Sequence, residues 1–402
     1  MLDNENLKGK KVLVRVDFNV PLNSNLEVTD NTRIMSAIPT IKELLDRGAT
    51  VILMSHLGRP LKDLNEDGSI KSKYSMKNII PSIESALGGS VFFISDPIPD
   101  KSPNIETKDQ SVYLLENVRF YKGEEKGDPA LAEQMSRLGE YYVNDAFGAA
   151  HRAHASTTTV ANFFDDQHKS FGHLMEREVK NISKVLGIVD RPFCAIVGGA
   201  KVSDKIALLE NLLTKVDYIL VGGGMAFTFI KALGGKIGSS ICEVDKLDFA
   251  LELLQKAKEN NVEIILPIDI AAADSFSNEA EKKILPADQI PEGWSGLDIG
   301  PGSIQLFEDY ILKSKTILWN GPAGVFEFTN FANGTLGIAS AIAKATKNGA
   351  FSIVGGGDSV AAINHMGLED EISFVSTGGG AMLEMIEGKI LPGIAAMPSA
   401  FN

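Results

Sequence analysis

Cysteine is scarce in this chain of 402 residues: only Cys194 and Cys242 occur, and they are far apart in the sequence. This scarcity excludes a disulfide framework and a cysteine-rich metal site, and it favours a reducing compartment. No apolar run reaches the about 18 residues that suggest a membrane span, and the first residues lack the apolar core of a signal peptide. We therefore expect a cytoplasmic protein.

Positive charge is also in deficit. The chain has 39 lysines and arginines against 52 acidic residues, which gives a net charge of −13. This balance excludes nonspecific binding to nucleic acid or to an anionic membrane surface. Any anionic ligand must therefore be held by a local positive site. The length of the chain favours two domains over a single core.

Two familiar nucleotide fingerprints are missing. The pattern G-x-x-x-x-G-K-[ST] does not occur, because the Gly-Lys pairs at Gly9, Gly235 and Gly388 are each followed by Lys or Ile. The nearest approach to G-x-G-x-x-G begins at Gly222 and lacks the final glycine. A P-loop is therefore excluded, and a dinucleotide site has only weak support.

Apolar, β-branched runs alternate with helical patterns along most of the chain. This alternation predicts βαβ units and hence two α/β domains with mostly parallel sheets. The predicted strands are Lys11–Asp17, Thr50–Met54, Ser90–Ile94, Ser111–Leu115, Tyr141–Asn144, Phe193–Val197, Tyr218–Val221, Val262–Leu266, Lys315–Trp319, Ala350–Val354 and Ile372–Val375. The predicted helices include Thr32–Arg47, Ser75–Leu87, Leu247–Asn260 and Phe331–Thr346.

A domain boundary is expected near residues 170–190. The polar segment Asp165–Lys169 precedes a helical pattern over Leu174–Leu186, which we expect to connect the domains. The polar stretch Asn65–Ser72 predicts a surface loop whose role is open.

Basic residues follow the strands of the first half. Ligands bind outside the carboxyl ends of parallel strands, so these side chains are expected to converge on one crevice. They are Arg33, Arg59, Arg119 and Arg152, with His56, His151 and His154. Arginine suits bidentate contacts with carboxylate and phosphate, so a small multiply charged anion is the natural ligand. The alternatives are surface ion pairs for the arginines, and metal ligands or neutral hydrogen-bonded groups for the histidines.

Glycines follow the strands of the second half, where they would let a ligand approach the backbone. Asp358, after one such turn, is a candidate for Mg²⁺, which prefers one or two carboxylates plus phosphates. The stretch Ile196–Lys205 turns through glycines into a helix start, a typical anion site. Lys201 and Lys205 are four residues apart and would share a helix face. The alternatives are capped tight turns and a solvated lysine pair.

Nine motifs together resemble the phosphoglycerate kinase family, and they follow its order along nearly the whole chain. They are RVDFNVP (Arg15–Pro21), LMSHLGRP (Leu53–Pro60), LENVRF (Leu115–Phe120), NDAFGAAHRAH (Asn144–His154), GGAKVSDK (Gly198–Lys205), GGGMAFTF (Gly222–Phe229), WNGPAGVFE (Trp319–Glu327), GGGDS (Gly355–Ser359) and STGGGA (Ser376–Ala381). Two positions depart from the usual pattern: Ala149 replaces Thr, and Met382 replaces a Ser near the hinge-linked turn.

The resemblance implies two Rossmann-like domains joined by a hinge helix. The implied segments are a phosphoglycerate-binding domain (1–172), the hinge helix (173–188), a nucleotide-binding domain (189–378) and a tail that packs back on the first domain (379–402). The implied reaction is reversible phosphoryl transfer from 1,3-bisphosphoglycerate to MgADP, giving 3-phosphoglycerate and MgATP. A monomer is expected, because a site between two hinged domains needs no partner subunit.

The resemblance also implies a set of site residues. The phosphoglycerate would be held by Asp17, Phe18, Asn19, Arg33, His56, Leu57, Gly58, Arg59, Arg119 and Arg152. The nucleotide would be held by Lys201, Lys205, Gly222, Gly223, Gly296, Asn320, Pro322, Glu327, Gly356, Gly357, Asp358 and Ser359. Asp358 would contact Mg²⁺, while Arg33 and Lys201 would flank the transferring phosphoryl group as catalytic residues.

The chemistry of that reaction needs no general base, because the attacking carboxylate is already ionised at pH 7. Two other functions remain as alternatives. An NAD-dependent dehydrogenase would need the dinucleotide fingerprint that is missing here, and a non-catalytic phosphometabolite-binding protein would not need Arg33, Lys201 and Asp358 together.

Overall fold

The computed structural model describes residues 1–2, 5–96 and 111–398, and its contacts divide the chain into two compact units. Unit 1 comprises the described residues of Met1–Lys180 and Ile390–Asn402, and unit 2 comprises Asn181–Lys389. In the described residues, no helix is both long and apolar enough to cross a membrane.

Unit 1 begins with a strand and alternates strands with helices. Its strands are β1 (Lys11–Val16), β2 (Thr50–Met54), β3 (Val91–Ile94), β4 (Val112–Leu115), β5 (Tyr141–Asp145) and β6 (Lys169–Phe171). Its helices are α1 (Thr32–Asp46), α2 (Ile80–Leu87) and α3 (Pro129–Ser136), followed by α4 (His173–Leu186), which continues into unit 2.

Unit 2 repeats the alternation and adds short antiparallel strands. Its strands are β7 (Phe193–Val197), β8 (Tyr218–Val221), β9 (Lys236–Ile237), β10 (Glu263–Ile265), β11 (Asp269–Ala273), β12 (Lys282–Pro286), β13 (Gln289–Ile290), β14 (Ser295–Ile299), β15 (Thr316–Asn320), β16 (Phe351–Gly355) and β17 (Phe374–Val375). Its helices are α5 (Ile206–Leu212), α6 (Met225–Ala232), α7 (Leu247–Glu259), α8 (Pro301–Lys313), α9 (Asn333–Lys347), α10 (Gly357–Met366) and α11 (Gly380–Ile386).

The last helix, α12 (Pro392–Ala395), belongs to unit 1 by its contacts. The Gly393 backbone N–H donates to the Ala150 carbonyl at 2.8 Å, and the Asn144 amide donates to the Gly393 carbonyl at 3.2 Å. A Cβ at Gly393 would lie 3.0 Å from the Ala150 Cα, so a glycine allows this close backbone approach.

Each unit is built on a six-stranded parallel sheet. The strand order is β3-β4-β2-β1-β5-β6 in unit 1 and β10-β8-β7-β15-β16-β17 in unit 2. The central strands β2, β5, β7 and β15 are buried at every position, as expected of parallel strands covered by helices on both faces. Unit 2 adds an antiparallel sheet, β12-β11-β14, whose β11–β14 register shifts between Ala271 and Ala272.

All eleven predicted strands are present, with ends that shift by up to two residues. The prediction missed β6, β9 and β11–β14. Most of these strands are short or, like the exposed β12 (Lys-Lys-Ile-Leu-Pro), carry no apolar run, whereas β11 (Asp-Ile-Ala-Ala-Ala) is rich in alanine, which does not favour a strand. The helix expected at Ser75 begins as a 3₁₀ turn at Met76 and becomes α-helical at Ile80, next to Pro81 in its first turn.

The core of unit 2 can be tested at helix α8. Phe307 is fully buried, whereas Leu312 on the same helix is 37% exposed. We expect Phe307→Ala to lower the free energy of unfolding by about 3–5 kcal/mol, because it leaves a cavity, and Leu312→Ala to cost less than about 1 kcal/mol.

The measurement is denaturant unfolding followed by tryptophan fluorescence, since both tryptophans, Trp294 and Trp319, lie in unit 2. Equal losses in the two variants would contradict the assignment of Phe307 to the core.

Candidate active site

The basic residues of unit 1 lie at the carboxyl edge of its sheet. The segments that follow β4, β2, β1 and β5, four neighbouring strands, carry them. Adjacent parallel strands end at the same edge, so their loops meet there. We call the resulting group the arginine cluster, and its members are Arg15, Arg33, Arg119 and Arg152, with Asp17, His56 and His154.

Asp17 and Arg33 form an ion pair in this cluster. The carboxyl group of Asp17 is 6% exposed, and its second oxygen lies 3.9 Å from Nδ1 of His56. Burial acts to raise the pKa of Asp17, but the charges of Arg33, His56 and Arg15 outweigh it and hold the pKa below its usual value. Asp17 is therefore ionised and orients Arg33.

Arg15 lies at the centre of the cluster, and the sequence interpretation did not include it among the site residues. Its side chain is fully buried, and Nε donates to the Ser156 hydroxyl at 2.7 Å. Ser156 in turn donates to the buried carboxyl group of Glu124 at 2.5 Å. A charged residue inside the apolar run Val12–Val16 was the available signal, since a strand buries charge only with a partner.

His56 and His154 are neutral hydrogen-bonding groups in this environment. Burial, together with nearby arginines, holds the pKa of His56 well below its ordinary value despite Asp17. Burial and the charges of Arg119 and Arg15 lower the pKa of His154 to about 3. The positive charge of the cluster at neutral pH therefore comes from arginine alone.

The segment after β2 is held from two sides. Asn19 Oδ1 accepts the Gly58 N–H at 2.8 Å, and Arg119 donates to the Gly58 carbonyl at 2.8 Å. Arg59 is exposed, and its guanidinium has no partner among the described residues. The side chains of Phe18 and Leu57 lie in the core, so these two residues can face a ligand only through their backbone.

Arg119 and Arg152 complete the cluster. Burial and the charge of Arg15 lower the pKa of Arg119 to about 10, so it stays charged at neutral pH. Arg152 Nε donates to His151 Nε2 at 3.0 Å. Four guanidinium groups outnumber the three carboxylates near them, those of Asp17, Glu124 and Glu125, and this excess of positive charge suits a small anion with several charges.

Unit 2 has two adjoining cavities at the carboxyl edge of its own sheet. The larger, of about 600 Å³, is lined by the apolar side chains of Phe227, Ile241 and Phe276 and by Gly223, Gly296, Pro322 and Glu327. The smaller, of about 350 Å³, is lined by turns of glycine around Lys201, Lys205, Asn320 and Asp358. Both cavities include Gly199, Ala200, Pro322 and Asp358, so one ligand can extend through both.

The smaller cavity has the character of a phosphate site. Lys205 Nζ donates to Asn320 Oδ1 at 2.5 Å, and the Asn320 amide donates to the Gly355 carbonyl at 2.8 Å. Gly356 has φ +95°, and a Cβ there would lie 2.6 Å from the Asn320 amide nitrogen, so the turn requires glycine. Burial lowers the pKa of Lys205, and an anion bound beside its ammonium group would favour the charged form.

The expectation that Lys201 and Lys205 share a helix face is wrong. Helix α5 begins only at Ile206 after a 3₁₀ turn over Ser203–Lys205, and Lys201 precedes both. The carboxylate of Glu243 accepts the N–H of Ser203 at 3.0 Å, so the helical segment is capped at that residue. Lys201 is exposed.

Two predicted residues support the site without lining it. Ser359 is fully buried and accepts the Gly321 N–H at 2.7 Å, which fixes the turn after β15. Gly222 packs against Ala323, where a Cβ would lie 3.1 Å from the Cα. Met382, which departs from the usual pattern, is buried, and its sulfur occupies the space that a Cβ at Gly355 would take, so a larger residue at the end of β16 would require Met382 to shift.

Asp298 lines the larger cavity, and the sequence interpretation missed it. Its carboxyl group is 3% exposed and accepts the N–H groups of Ile299 at 2.9 Å and Gly334 at 2.8 Å, so it joins β14 to the start of α9. Burial raises its pKa to about 7 against these hydrogen bonds. Strand β14 reads Ser-Gly-Leu-Asp-Ile and has no apolar run, so no local pattern marked Asp298.

A further cavity of unit 2, about 1020 Å³, lies elsewhere. It is a groove between residues 230–238 and 287–292, and it contains none of the predicted site residues. Volume alone therefore does not identify the site, whereas the glycine turns and lysines do.

These features define a class. This α/β chain has an arginine cluster for a small anion in one unit and a glycine-lined cavity with lysines in the other. Such a pair of sites is typical of a phosphotransferase that has one substrate site in each unit. Comparison with known proteins gives the family: the phosphoglycerate kinase model matches residues 2–389. The chain belongs to the phosphoglycerate kinase family, and it is a kinase.

Similar proteins from distant organisms support this family assignment. The chain is 48% identical to phosphoglycerate kinase of Porphyromonas gingivalis over 98% of this chain and 99% of the relative. It is 49% identical to the cytosolic enzyme of Nicotiana tabacum over 99% and 98%. The structure of phosphoglycerate kinase from Coxiella burnetii matches with a TM-score of 0.87 at 42% identity, over 98% of this chain and 97% of the other.

Asp298 gives a pH-dependent prediction. Its proton is bound more tightly in the folded protein than in the unfolded chain, where aspartate has a pKa of about 3.9. Its contribution to the free energy of unfolding should therefore fall as pH rises from about 4 to about 7, by at most about 1.4 kcal/mol per pH unit, and then level off.

The test compares the wild type with Asp298→Asn, which does not titrate, by denaturant unfolding from pH 4 to pH 9. The difference in stability between them should change below pH 7 and be constant above it. A difference that is the same throughout would refute the raised pKa.

Proposed function

We propose that this chain transfers a phosphoryl group reversibly from 1,3-bisphosphoglycerate to MgADP, giving 3-phosphoglycerate and MgATP. The observation that carries the proposal is the presence, in one member of the phosphoglycerate kinase family, of an arginine cluster in unit 1 and a lysine-containing glycine cavity in unit 2. Each accounts for one of the two substrates.

In unit 1 we assign the phosphoglycerate to the arginine cluster, together with Asn19 and the segment 56–59. Arg59 and Arg152 would bind the phosphate of the ligand. Arg119 would also bind the ligand, while its hydrogen bond to the Gly58 carbonyl holds Gly58 in place. The neutral histidines His56 and His154 would supply hydrogen bonds without further charge. Arg33, which Asp17 orients, would be directed at the phosphoryl group that moves.

In unit 2 we assign the base and ribose of the nucleotide to the larger cavity and its phosphates to the smaller. The apolar lining around Phe227 and Gly296 suits a purine, and the exposed carboxylate of Glu327 suits the ribose hydroxyls. Lys205, Asn320 and the turn Gly356–Asp358 would hold the phosphates, with Ser359 supporting the neighbouring turn after β15, in keeping with the preference of anions for a helix N-terminus such as that of α10.

The donor set fits Mg²⁺ carried by the nucleotide. Asp358 is exposed in the first turn of α10, and its carboxylate has no hydrogen bond or ion pair within the described part of the chain. Residues 1–2, 5–96 and 111–398 contain no cluster of three metal-ligating side chains. Mg²⁺ requires only one or two carboxylates when phosphates supply other ligands, and bound there it would neutralise phosphate charge.

The proposed mechanism depends on positioning and charge neutralisation. The attacking carboxylate is ionised at neutral pH, so no side chain has to remove a proton. Arg33 from unit 1 and Lys201 from unit 2 would flank the phosphoryl group in flight and stabilise its negative charge. The exposed position of Lys201, outside helix α5, supports this role because the side chain can reach toward the substrate.

The two substrates are assigned to different units, so we propose that the units approach during each cycle. Approach would also exclude water that could hydrolyse an acyl phosphate. Helix α4 contains the residue at which the units divide, which supports its role as the hinge within 173–188.

We also propose domains over 1–172 and 189–378 and a C-terminal tail over 379–402. We propose that the protein is a monomer and that it is located in the cytoplasm, like the cytosolic relative.

The role of Lys201 is tested by a coupled assay with 3-phosphoglycerate and MgATP. We expect turnover by the wild type and a loss of about 100-fold in kcat for Lys201→Ala, because removing one charge-stabilising donor costs roughly 3 kcal/mol. The control is Lys347→Ala, which removes an exposed lysine at the end of α9. Absence of turnover by the wild type would refute the proposed reaction, and a fully active Lys201→Ala would refute the role of Lys201.

The metal assignment is tested by titrating Mg²⁺ after treatment with EDTA. The activity should vanish with the chelator and return with Mg²⁺, and Asp358→Asn should need a higher Mg²⁺ concentration for half-maximal rate because it loses a charged oxygen ligand. Asp309→Asn, on the exposed face of α8, is the control. An unchanged Mg²⁺ requirement in Asp358→Asn would contradict the assignment.

A further inference from the structure

The polar stretch Asn65–Ser72, whose role the sequence left open, forms part of a small hairpin. Leu64 and Ile70 pair as an isolated antiparallel bridge, and the N–H of Asn65 donates to the Ser69 carbonyl at 2.9 Å. The hairpin begins shortly after Arg59 in the sequence and ends shortly before Tyr74. It is therefore directly connected to the proposed phosphoglycerate site.

Asp63 closes the base of this hairpin. Its carboxylate accepts hydrogen bonds from the Tyr74 hydroxyl at 2.7 Å and from Lys71, and it pairs with Lys73 at 2.6 Å. The hydrogen bonds from Lys71, Lys73 and Tyr74 lower the pKa of Asp63, so the carboxylate is ionised at neutral pH. These contacts fix the end of the Tyr74 side chain.

The backbone around Tyr74 is fixed independently by the two residues that follow β4. The fully buried amide of Asn117 donates to the Tyr74 carbonyl and to the Leu57 carbonyl, each at 2.8 Å. Glu116 accepts the Ser75 hydroxyl at 2.7 Å and the Met76 N–H at 2.8 Å. The ring of Tyr74 is therefore held at both ends.

The held ring lies against Gly58. A Cβ at Gly58 would lie only 2.5 Å from Cε1 of Tyr74, and Gly58 has φ +61°, so both space and conformation require glycine. Glycine has more conformational freedom than any other residue, and the ring restricts it here. The carbonyl of the same residue accepts the hydrogen bond from Arg119, and the next residue is Arg59.

We infer that Tyr74, held by Asp63 at the base of the hairpin, is a positioning residue for the phosphoglycerate site. Its ring braces Gly58, and Gly58 then fixes Arg119 through its carbonyl and Arg59 through the chain. Tyr74 acts through Gly58 and need not touch the substrate. This inference rests on the proposed function for the identity of the ligand.

The test measures binding of 3-phosphoglycerate alone by calorimetry, and KM for each substrate in the coupled assay. Tyr74→Ala should weaken 3-phosphoglycerate binding about tenfold, which corresponds to about 1.4 kcal/mol. It should raise the KM for 3-phosphoglycerate similarly and leave the KM for MgATP unchanged. Tyr74→Phe keeps the ring and should restore most of the affinity.

Tyr113→Ala is the matched control. Tyr113 is a partly buried tyrosine of unit 1 whose ring stacks on Phe92 with centroids 5.3 Å apart, so its loss should lower Tm without a selective effect on one substrate. If Tyr74→Ala does not fold, Asp63→Asn removes charge from a carboxylate that is 36% exposed. That variant should give a smaller rise in the same dissociation constant.

Three results would overturn the inference. The first is unchanged 3-phosphoglycerate binding in a folded Tyr74→Ala or Asp63→Asn variant, and the second is an equal loss of affinity for both substrates, as in a general destabilisation. The third is a Tyr74→Phe variant that binds 3-phosphoglycerate as weakly as Tyr74→Ala does. Binding of 3-phosphoglycerate by the wild type without turnover would instead refute the proposed reaction, and the binding measurements would still decide the role of Tyr74.

Discussion

A parallel sheet that is covered on both faces can carry charge at the ends of its strands but resists it within them, because a buried charge without a partner is costly. Both units depend on this constraint. In unit 1 the side chains of Asp17, His56 and Asp145 lie at or just beyond the ends of the central strands, and in unit 2 the strands end in glycine turns beside Lys205 and Asp358. The chemistry of each unit is therefore concentrated at one edge of its sheet.

Arg15 is the exception that explains how the arginine cluster is built. It lies within β1 and is fully buried, so it depends on the chain Ser156–Glu124 for hydrogen bonds and compensating charge. Burial raises the pKa of Glu124, and the charge of Arg15 opposes that rise. Burial, together with the charges of the arginine cluster, lowers the pKa of His56 and His154, so the positive charge stays on groups that do not titrate near neutral pH.

The strands and the strand-end residues could be predicted because they depend on local pattern. Apolar runs gave all eleven predicted strands, and topology then brings Asp17, Arg119 and Arg152 to one edge. Partners far apart in sequence could not be predicted in this way. Glu124 meets Ser156 across 32 residues and Tyr74 meets Gly58 across a hairpin, and no local pattern specifies either contact.

The sequence by itself determined the α/β class, the alternation of strands and helices, the family, and which residue types follow each strand. Only the tertiary structure decided which groups are buried, how they are paired and where helix α5 begins. The physical reason is that secondary structure follows from the periodicity of neighbouring residues, whereas burial, pKa and capping depend on groups that the fold brings together. Asp298 has a raised pKa because the fold buries its carboxyl group, although that group accepts the N–H of Gly334 at the start of a helix distant in sequence.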